Sequence, residues 1–332
     1  MPVVGAPLAG GPSTAELAAA VSEAGALGFL AAGYRTVEEL DLELGRVRTL
    51  TSRPFGVNLF YPAREQVDEA AVAAYAERLL PEGERYGVEP GEPRWGDDGW
   101  DAKLELVARG RPDVVSFTFG CPDRDVVESI RAVGSAVWCT VTTAAEAEAA
   151  TDAAVDALVV QGSEAGGHQG SFEDGAEEPI SLLALLQHVA RVTDRPLVAA
   201  GGLATGSGVA AVLAAGASAA QLGTAFLLAP EAGTSQPHRE ALRSGRPTRL
   251  THAFTGRRAR GILNRFMREH DPGAPRGYPE VHFVTAPIRA AARESGDAEA
   301  INLWAGQAYP LTREEPAGAI VERLAAELKG AT

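Results

Sequence analysis

The chain of 332 residues carries 44 acidic against 30 basic side chains, a formal charge of −14. That excess argues against non-specific nucleic-acid binding and against a polybasic membrane contact, while leaving room for a small anion held locally. With 45% hydrophobic residues the chain is long enough for one large domain with an elaboration, or for two domains. Its cysteines, Cys121 and Cys139, form neither a CxxC pair nor a zinc-type spacing, so no metal site and a reducing, cytoplasmic setting are expected. The opening Met1-Pro-Val-Val-Gly5 has no basic stretch and no long apolar run. Neither a signal peptide nor a transmembrane helix is expected.

Strand and helix patterns alternate from the start, which favours a parallel α/β architecture. A first strand over Val3 to Pro7 leads to a helix near Thr14 to Ala24, with Ser13 as its expected N-cap and Glu16 closing a capping box. A second strand, Leu27 to Ala31, precedes an amphipathic helix from Val37 to Leu50. The third strand is Phe55 to Leu59. A long connection follows, with a helix over Gln66 to Leu79, a Pro/Gly-rich turn region and a helix from Trp100 to Arg109. The fourth strand, Val114 to Phe119, precedes a helix over Asp123 to Val133. The fifth, Ala136 to Val141, precedes one over Thr143 to Thr151. Three more strands are Ala157 to Gln161, Pro196 to Ala200 and Ala219 to Leu222, separated by helices over Ile180 to Val192 and Ser207 to Ala215. Eight strands in alternation suggest a closed barrel, with an open doubly wound sheet as the alternative.

After Pro230 the rhythm breaks. Helical pieces are expected over His238 to Arg243, Arg257 to Glu269 and Ile288 to Glu294, with a Pro/Gly stretch from Asp271 to Pro279 and a last helix over Ala317 to Lys329. The expected organisation is a barrel over residues 1–229, a mostly helical subdomain over 230–310 lying across the barrel mouth, and a C-terminal helix over 311–332 packing back on the barrel.

Chemistry concentrates at the carboxyl ends of the last three strands. Gly162, Gly166, Gly167 and Gly170 follow the sixth strand and enclose one histidine, His168. Barrel enzymes keep catalytic groups at strand carboxyl ends, and an imidazole there can take a proton from a carbon acid or pair with an anion. The plain alternative is a histidine that only bonds a carbonyl. Gly201-Gly202 and Gly223-Thr224 end the last two strands, where barrels commonly seat a phosphate on glycine backbone and helix N-termini. Asn58 and Gln161, also at strand ends, suit the edges of a heterocycle or, equally, cap the next turn. Glu164 and the acidic run Glu173-Asp174-Gly-Ala-Glu177-Glu178 are expected to be solvated, as is the Arg257, Arg258, Arg260 group unless it meets an anion. His188, His238, His252, His270 and His282 carry no functional expectation. No full GxGxxG, Walker A, HExxH or GxSxG is present.

Five segments resemble the nitronate monooxygenase family. They are Ala6-Pro-Leu-Ala-Gly10, Phe55-Gly-Val-Asn58, Gln161-Gly-Ser-Glu-Ala-Gly-Gly-His168, Ala199-Ala-Gly-Gly202 and Gln221-Leu-Gly-Thr224. A weaker match follows over Asn302 to Tyr309. The resemblance implies a TIM (β/α)8 barrel with non-covalent FMN. Ala6, Pro7, Leu8, Asn58, Gln161 and Gly166 would contact the flavin. Gly201, Gly202, Gly223 and Thr224 would hold its phosphate, with Gln221 just before the last two. His168 would be the catalytic residue. The implied reaction oxidises alkyl nitronates with O2 to a carbonyl compound and nitrite, with His168 as base or electrostatic partner. The same loop resembles that of NAD(P)H-dependent flavin reductases of the enoyl-acyl-carrier-protein and quinone types, and a flavin-binding protein without turnover is the alternative from another class. The implied partners are a small substrate and O2, with no nucleic acid and no membrane. A homodimer is one expectation for the assembly, which no residue pattern sets.

Overall fold

The computed structural model describes every residue except Glu65, Ala176, Glu177 and Thr332. Eight parallel strands run β1 (Val3–Gly5), β2 (Gly28–Ala31), β3 (Phe55–Phe60), β4 (Val114–Thr118), β5 (Ala136–Val141), β6 (Ala157–Gln161), β8 (Leu197–Ala200) and β9 (Ala219–Leu222); β7 is a two-residue strand, Gly167–His168, taken up below. Each strand pairs with its neighbour in sequence order, β6 pairs with β8 across the glycine-rich loop, and β9 pairs with β1. A bridge between Val4 and Leu27 joins the β1 edge to the β2 edge, with Gly5 N donating to Leu27 O and Leu27 N to Val3 O. The sheet therefore closes as a TIM barrel.

Strand parity sorts the side chains. Phe29, Val114, Val159, Val198 and Val4 form a separate apolar cluster within the barrel, and the rings of Phe29 and Trp138 lie 5.8 Å apart. A Cβ on Gly56 would come within 2.3 Å of the Phe29 ring, so glycine is what admits that ring. The alternate residues pack outward against the helices: α1 (Ala15–Glu23), α2 (Val37–Leu50), α5 (Trp100–Gly110), α6 (Arg124–Ala132), α7 (Ala144–Asp152), α8 (Leu182–Val189), α9 (Gly206–Ala214) and α13 (Ala317–Ala331). Between α2 and α5 the long connection forms two short helices, α3 (Glu69–Arg78) and α4 (Leu80–Tyr86), where the periodicity suggested one. None of the described helices is long and apolar enough to cross a membrane.

Two local expectations shift. The N-cap of α1 is Thr14, whose hydroxyl accepts from Leu17 N; Ser13 instead accepts from Leu8 N at 2.7 Å and closes the loop after β1, and Glu16 pairs with Arg46. Helix α12 spans Glu280–Glu294, well upstream of Ile288, with Pro287 inside it. Proline costs the helix one hydrogen bond, and the buried face of Val281, Val284, Ile288 and Ala292 outweighs that loss.

Beyond β9 lie α10 (Gln236–Ala241), β10 (Thr248–Thr251), β11 (Ala259–Ile262), α11 (Arg265–His270) and α12, around a second apolar core that includes Phe254, Phe266 and Leu303. The stretch expected as a helix from Arg257 to Glu269 is instead strand β11, a turn and the short α11. β11 pairs antiparallel with β10 on one side and with β7 on the other, matching Ala259 to His168 and Arg260 to Gly167. All four residues of β11 are buried. The spacing of arginines looked like a helical face, but pairing on both edges and burial on both faces favour the strand.

Candidate functional site

A cavity of about 410 Å³ opens at the carboxyl ends of the barrel strands. Ala6, Pro7, Leu8, Asn58, Gln161, Gly166, His168, Gly201, Gly202, Gln221, Gly223 and Thr224 all line it. The barrel thus gathers into one cavity the residues that the family resemblance implies for the cofactor and the catalytic histidine, although they come from five separated segments.

The polar side chains divide by what they already bond. Asn58 is buried and its amide donates to Ser116 O, Ser116 Oγ and Thr118 Oγ1, which fixes the carboxamide and leaves its oxygen as a free acceptor. Gln161 braces the histidine loop: its amide donates to His168 O at 3.2 Å and its oxygen accepts from Gly170 N at 2.7 Å. Gln221 makes no side-chain hydrogen bond among the described residues.

One end of the cavity is glycine backbone. Gly201 and Gly202 have φ of 114° and 67°, values that side chains rarely adopt, and a Cβ on Gly202 would lie 3.0 Å from Glu164 Cβ. The N–H groups of Gly202, Gly223 and Thr224 meet no protein acceptor among the described residues. Three N–H groups on adjoining loops are thus available to an acceptor, and such groups can hold an anion. Glu164, expected to be solvated, caps α8: its carboxylate accepts from Leu182 N at 3.0 Å.

The other end holds His168. Its ring lies 5.6 Å from Phe119, 5.7 Å from Tyr278, 5.6 Å from Trp304 and 6.5 Å from Tyr34, centroid to centroid. Desolvation within this cage, then the charges of Arg257 and Arg289, push its pKa down to about 3. His168 is therefore a neutral imidazole at pH 7. Its Nε2 lies 2.9 Å from Thr255 Oγ1, and that hydroxyl donates its single proton to Arg257 O at 3.2 Å. The Thr255 oxygen then accepts Nε2–H, which leaves the lone pair on Nδ1.

Arg257 is among the most buried side chains of the molecule, with its guanidinium 4.2 Å from the centre of the Phe119 ring; it is not on a solvated helix face. Of the acidic run, Asp174 is buried, bonded to His252 Nε2 at 2.8 Å and accepting from Arg258 N. Glu173 and Glu178 are exposed, and Glu177 lies outside the described residues. Two histidines given no role also reach the site. His282 stacks on Tyr34 at 4.3 Å with its ring almost parallel, and His238 lines the main cavity with Nε2 3.1 Å from Trp304 O. The sequence signal for this side of the site is the run from Asn302 to Tyr309, which contributes Asn302, Trp304, Gly306 and Ala308 to the cavity wall.

Comparison with known proteins agrees with this geometry. The chain is 41% identical to a nitronate monooxygenase of Pseudomonas aeruginosa, covering 99% of this chain and 96% of that one, and 37% identical to one of Paraburkholderia phytofirmans, covering 99% and 92%. A nitroalkane oxidase of Streptomyces ansochromogenes superposes with a TM-score of 0.97 at 52% identity, covering all of this chain and 96% of its own. FabK of Thermotoga maritima superposes with a TM-score of 0.78 at 26% identity, covering 99% and 93%. The sequence model described as nitronate monooxygenase matches residues 1–327, and the chain belongs to the nitronate monooxygenase family of oxidoreductases.

Proposed function

We propose that the protein oxidises alkyl nitronates with O2 to a carbonyl compound and nitrite, using FMN bound in the barrel mouth. The observation that carries this reading is the pairing, in one cavity, of a glycine-backbone anion cradle with a neutral, caged histidine at the opposite end. The residues present fit FMN. Gly202, Gly223 and Thr224 would take its phosphate on N–H groups that meet no protein acceptor among the described residues, and Asn58 and Gln221 would meet the polar edge of its ring.

Bound there, FMN supplies the electron acceptor and the subsequent reaction with O2. The chain supplies position and charge. Phe119, Tyr278 and Trp304 exclude water around His168. Thr255 holds Nε2–H, so Nδ1 can receive the α-proton of a neutral nitroalkane; a nitronate, already deprotonated, needs no such step. The ring starts neutral, and taking the α-proton makes it the imidazolium, whose charge then stands beside the nitronate, so base and electrostatic partner are successive roles of one residue.

The deciding experiment is anaerobic mixing of the purified protein with ethylnitronate and, separately, with NADH and NADPH, watching the flavin absorbance. Bleaching by ethylnitronate alone supports the proposal. Bleaching by NAD(P)H alone would move the protein to the flavin-reductase class, and a colourless protein would leave a degenerate barrel. Within the proposal, His168→Asn is expected to lower turnover of neutral nitroalkanes by roughly 10²-fold or more while flavin stays bound. Full turnover in that variant would remove His168 from the chemistry.

A further inference from the structure

Beside His168 a second cavity of about 180 Å³ adjoins the first. His168, Arg293, Asn302 and Trp304 line both, while Thr255, His282 and Arg289 belong to the second alone. Two of these residues, Arg289 and Arg293, carry charge, and neither has a counter-ion among the described residues. Arg289 is buried, and its guanidinium donates only to neutral acceptors: Thr285 Oγ1 at 3.0 Å, His282 O at 2.9 Å and, at longer range, Asn302 Oδ1 at 3.4 Å, with His282 Nδ1 3.2 Å away. Arg293, one helical turn further along α12 at the exposed rim, makes no side-chain hydrogen bond and no ion pair among the described residues. The nearby carboxylates are already committed, Asp98 to Lys103 at 2.7 Å and Asp174 to His252 at 2.8 Å.

A buried guanidinium without a carboxylate is costly unless an anion completes it. The planar fork of arginine matches two oxygens in a plane, the geometry shared by nitro, nitronate and carboxylate groups. We propose that Arg289 and Arg293, and not His168, hold the negative charge of the substrate, so that the second cavity is a seat for a planar two-oxygen anion. That anion is either the nitronate head itself or a carboxylate borne by the same small molecule. The inference takes its choice of substrate from the nitronate reading, but the charge imbalance that motivates it stands apart from that reading. It also divides the labour at the site: a neutral imidazole for proton transfer, and a fixed positive charge, one step away, for binding.

The test uses nitrate, a planar oxyanion that does not turn over, titrated calorimetrically into the flavin-loaded protein at low salt. Arg293→Gln, at the rim and outside the apolar core, is expected to weaken nitrate binding about tenfold. Arg289→Gln should do the same, and Arg289→Lys should weaken it less, because the charge remains while the fork is lost. Nitrate binding unchanged in both Arg293→Gln and Arg289→Gln, or lost in His168→Asn instead, would overturn the proposal. Because this readout involves no turnover, it stands or falls separately from nitronate oxidation. Steady-state KM values then identify the anion. A rise of about tenfold for ethylnitronate and for a nitronate with a terminal carboxylate alike assigns the seat to the head group. A rise confined to the carboxylated substrate assigns it to the far end, and no rise for either counts against the proposal.

Discussion

Thr255 shows how one hydrogen bond sets the tautomer of a histidine. Its hydroxyl stands between His168 Nε2 and the Arg257 carbonyl, and its proton is used on the carbonyl. Removing it with Thr255→Val keeps the volume but frees the imidazole to rotate and to exchange tautomers. Turnover of neutral nitroalkanes is expected to drop by about tenfold, with flavin content and the far-ultraviolet spectrum unchanged. If Thr255→Val proves as active as the parent protein, the hydroxyl does not position the ring. Nothing local in the sequence marks Thr255, which lies 87 residues from His168. His168 itself is legible, because a histidine inside four glycines at a strand end has few structural reasons to be there.

At the scale of elements, the loops after β6, β8 and β9 were readable and their companions were not. Glycines following a short apolar strand announce a close backbone approach, and the loop after β8 provides it at Gly201 and Gly202. A side chain at Gly202 must adopt φ near 67° and press on Glu164 Cβ, which displaces the backbone that carries the Gly202 N–H. Gly202→Val is therefore expected to fold, at a cost of about 1–2 kcal/mol from the left-handed backbone, yet to retain no more than roughly a tenth of the flavin after gel filtration. Stoichiometric flavin in that variant would place the phosphate elsewhere. By contrast, β11 was misread as helix. Its partners β7 and β10 are a distant loop and a neighbouring strand, so its conformation was decided by pairing that no local pattern encodes. That pairing ties the backbone of Gly167 and His168 to the region after the barrel.

At the scale of the whole molecule, closing this region over the barrel holds three histidines in neutral form, His238 buried and His168 and His282 half-buried. His168, His238 and His282 are pushed down by desolvation first, and by neighbouring arginines, to about 3, 4 and 2. In the unfolded chain each titrates near 6.5. As pH falls below that value, the unfolded state takes up protons that the folded state refuses. The stability is therefore complete above about pH 6.5 and is lost progressively as pH falls towards 4, 3 and 2, where the folded-state histidines take up their protons. Carboxylates held low by their partners, such as Glu82 at about 2, add their own loss only below about pH 4.5. Thermal unfolding should show a Tm nearly constant from pH 8 to 7 and lower at pH 5 by roughly 5 °C or more. A Tm that is unchanged or higher at pH 5 would mean that these histidines are not held neutral.

The alternation of strands and helices, the inward parity that groups Asn58, Gln161 and Gln221, and the glycine loops are properties of short stretches of chain. Period, β-branching and glycine placement suffice to specify them, which is why the sequence by itself determined the barrel and one wall of its cavity. What faces that wall was decided only by the tertiary structure. The cage around His168 draws on Tyr34, Phe119, Tyr278 and Trp304, and the paired arginines sit on a helix whose start was hidden behind Pro287. These residues meet through packing across as many as 244 residues of chain, as Tyr34 and Tyr278 do through their hydroxyls. Burial and the absence of a counter-ion, which give a histidine its low pKa and an arginine its need for an anion, exist only once the chain has closed.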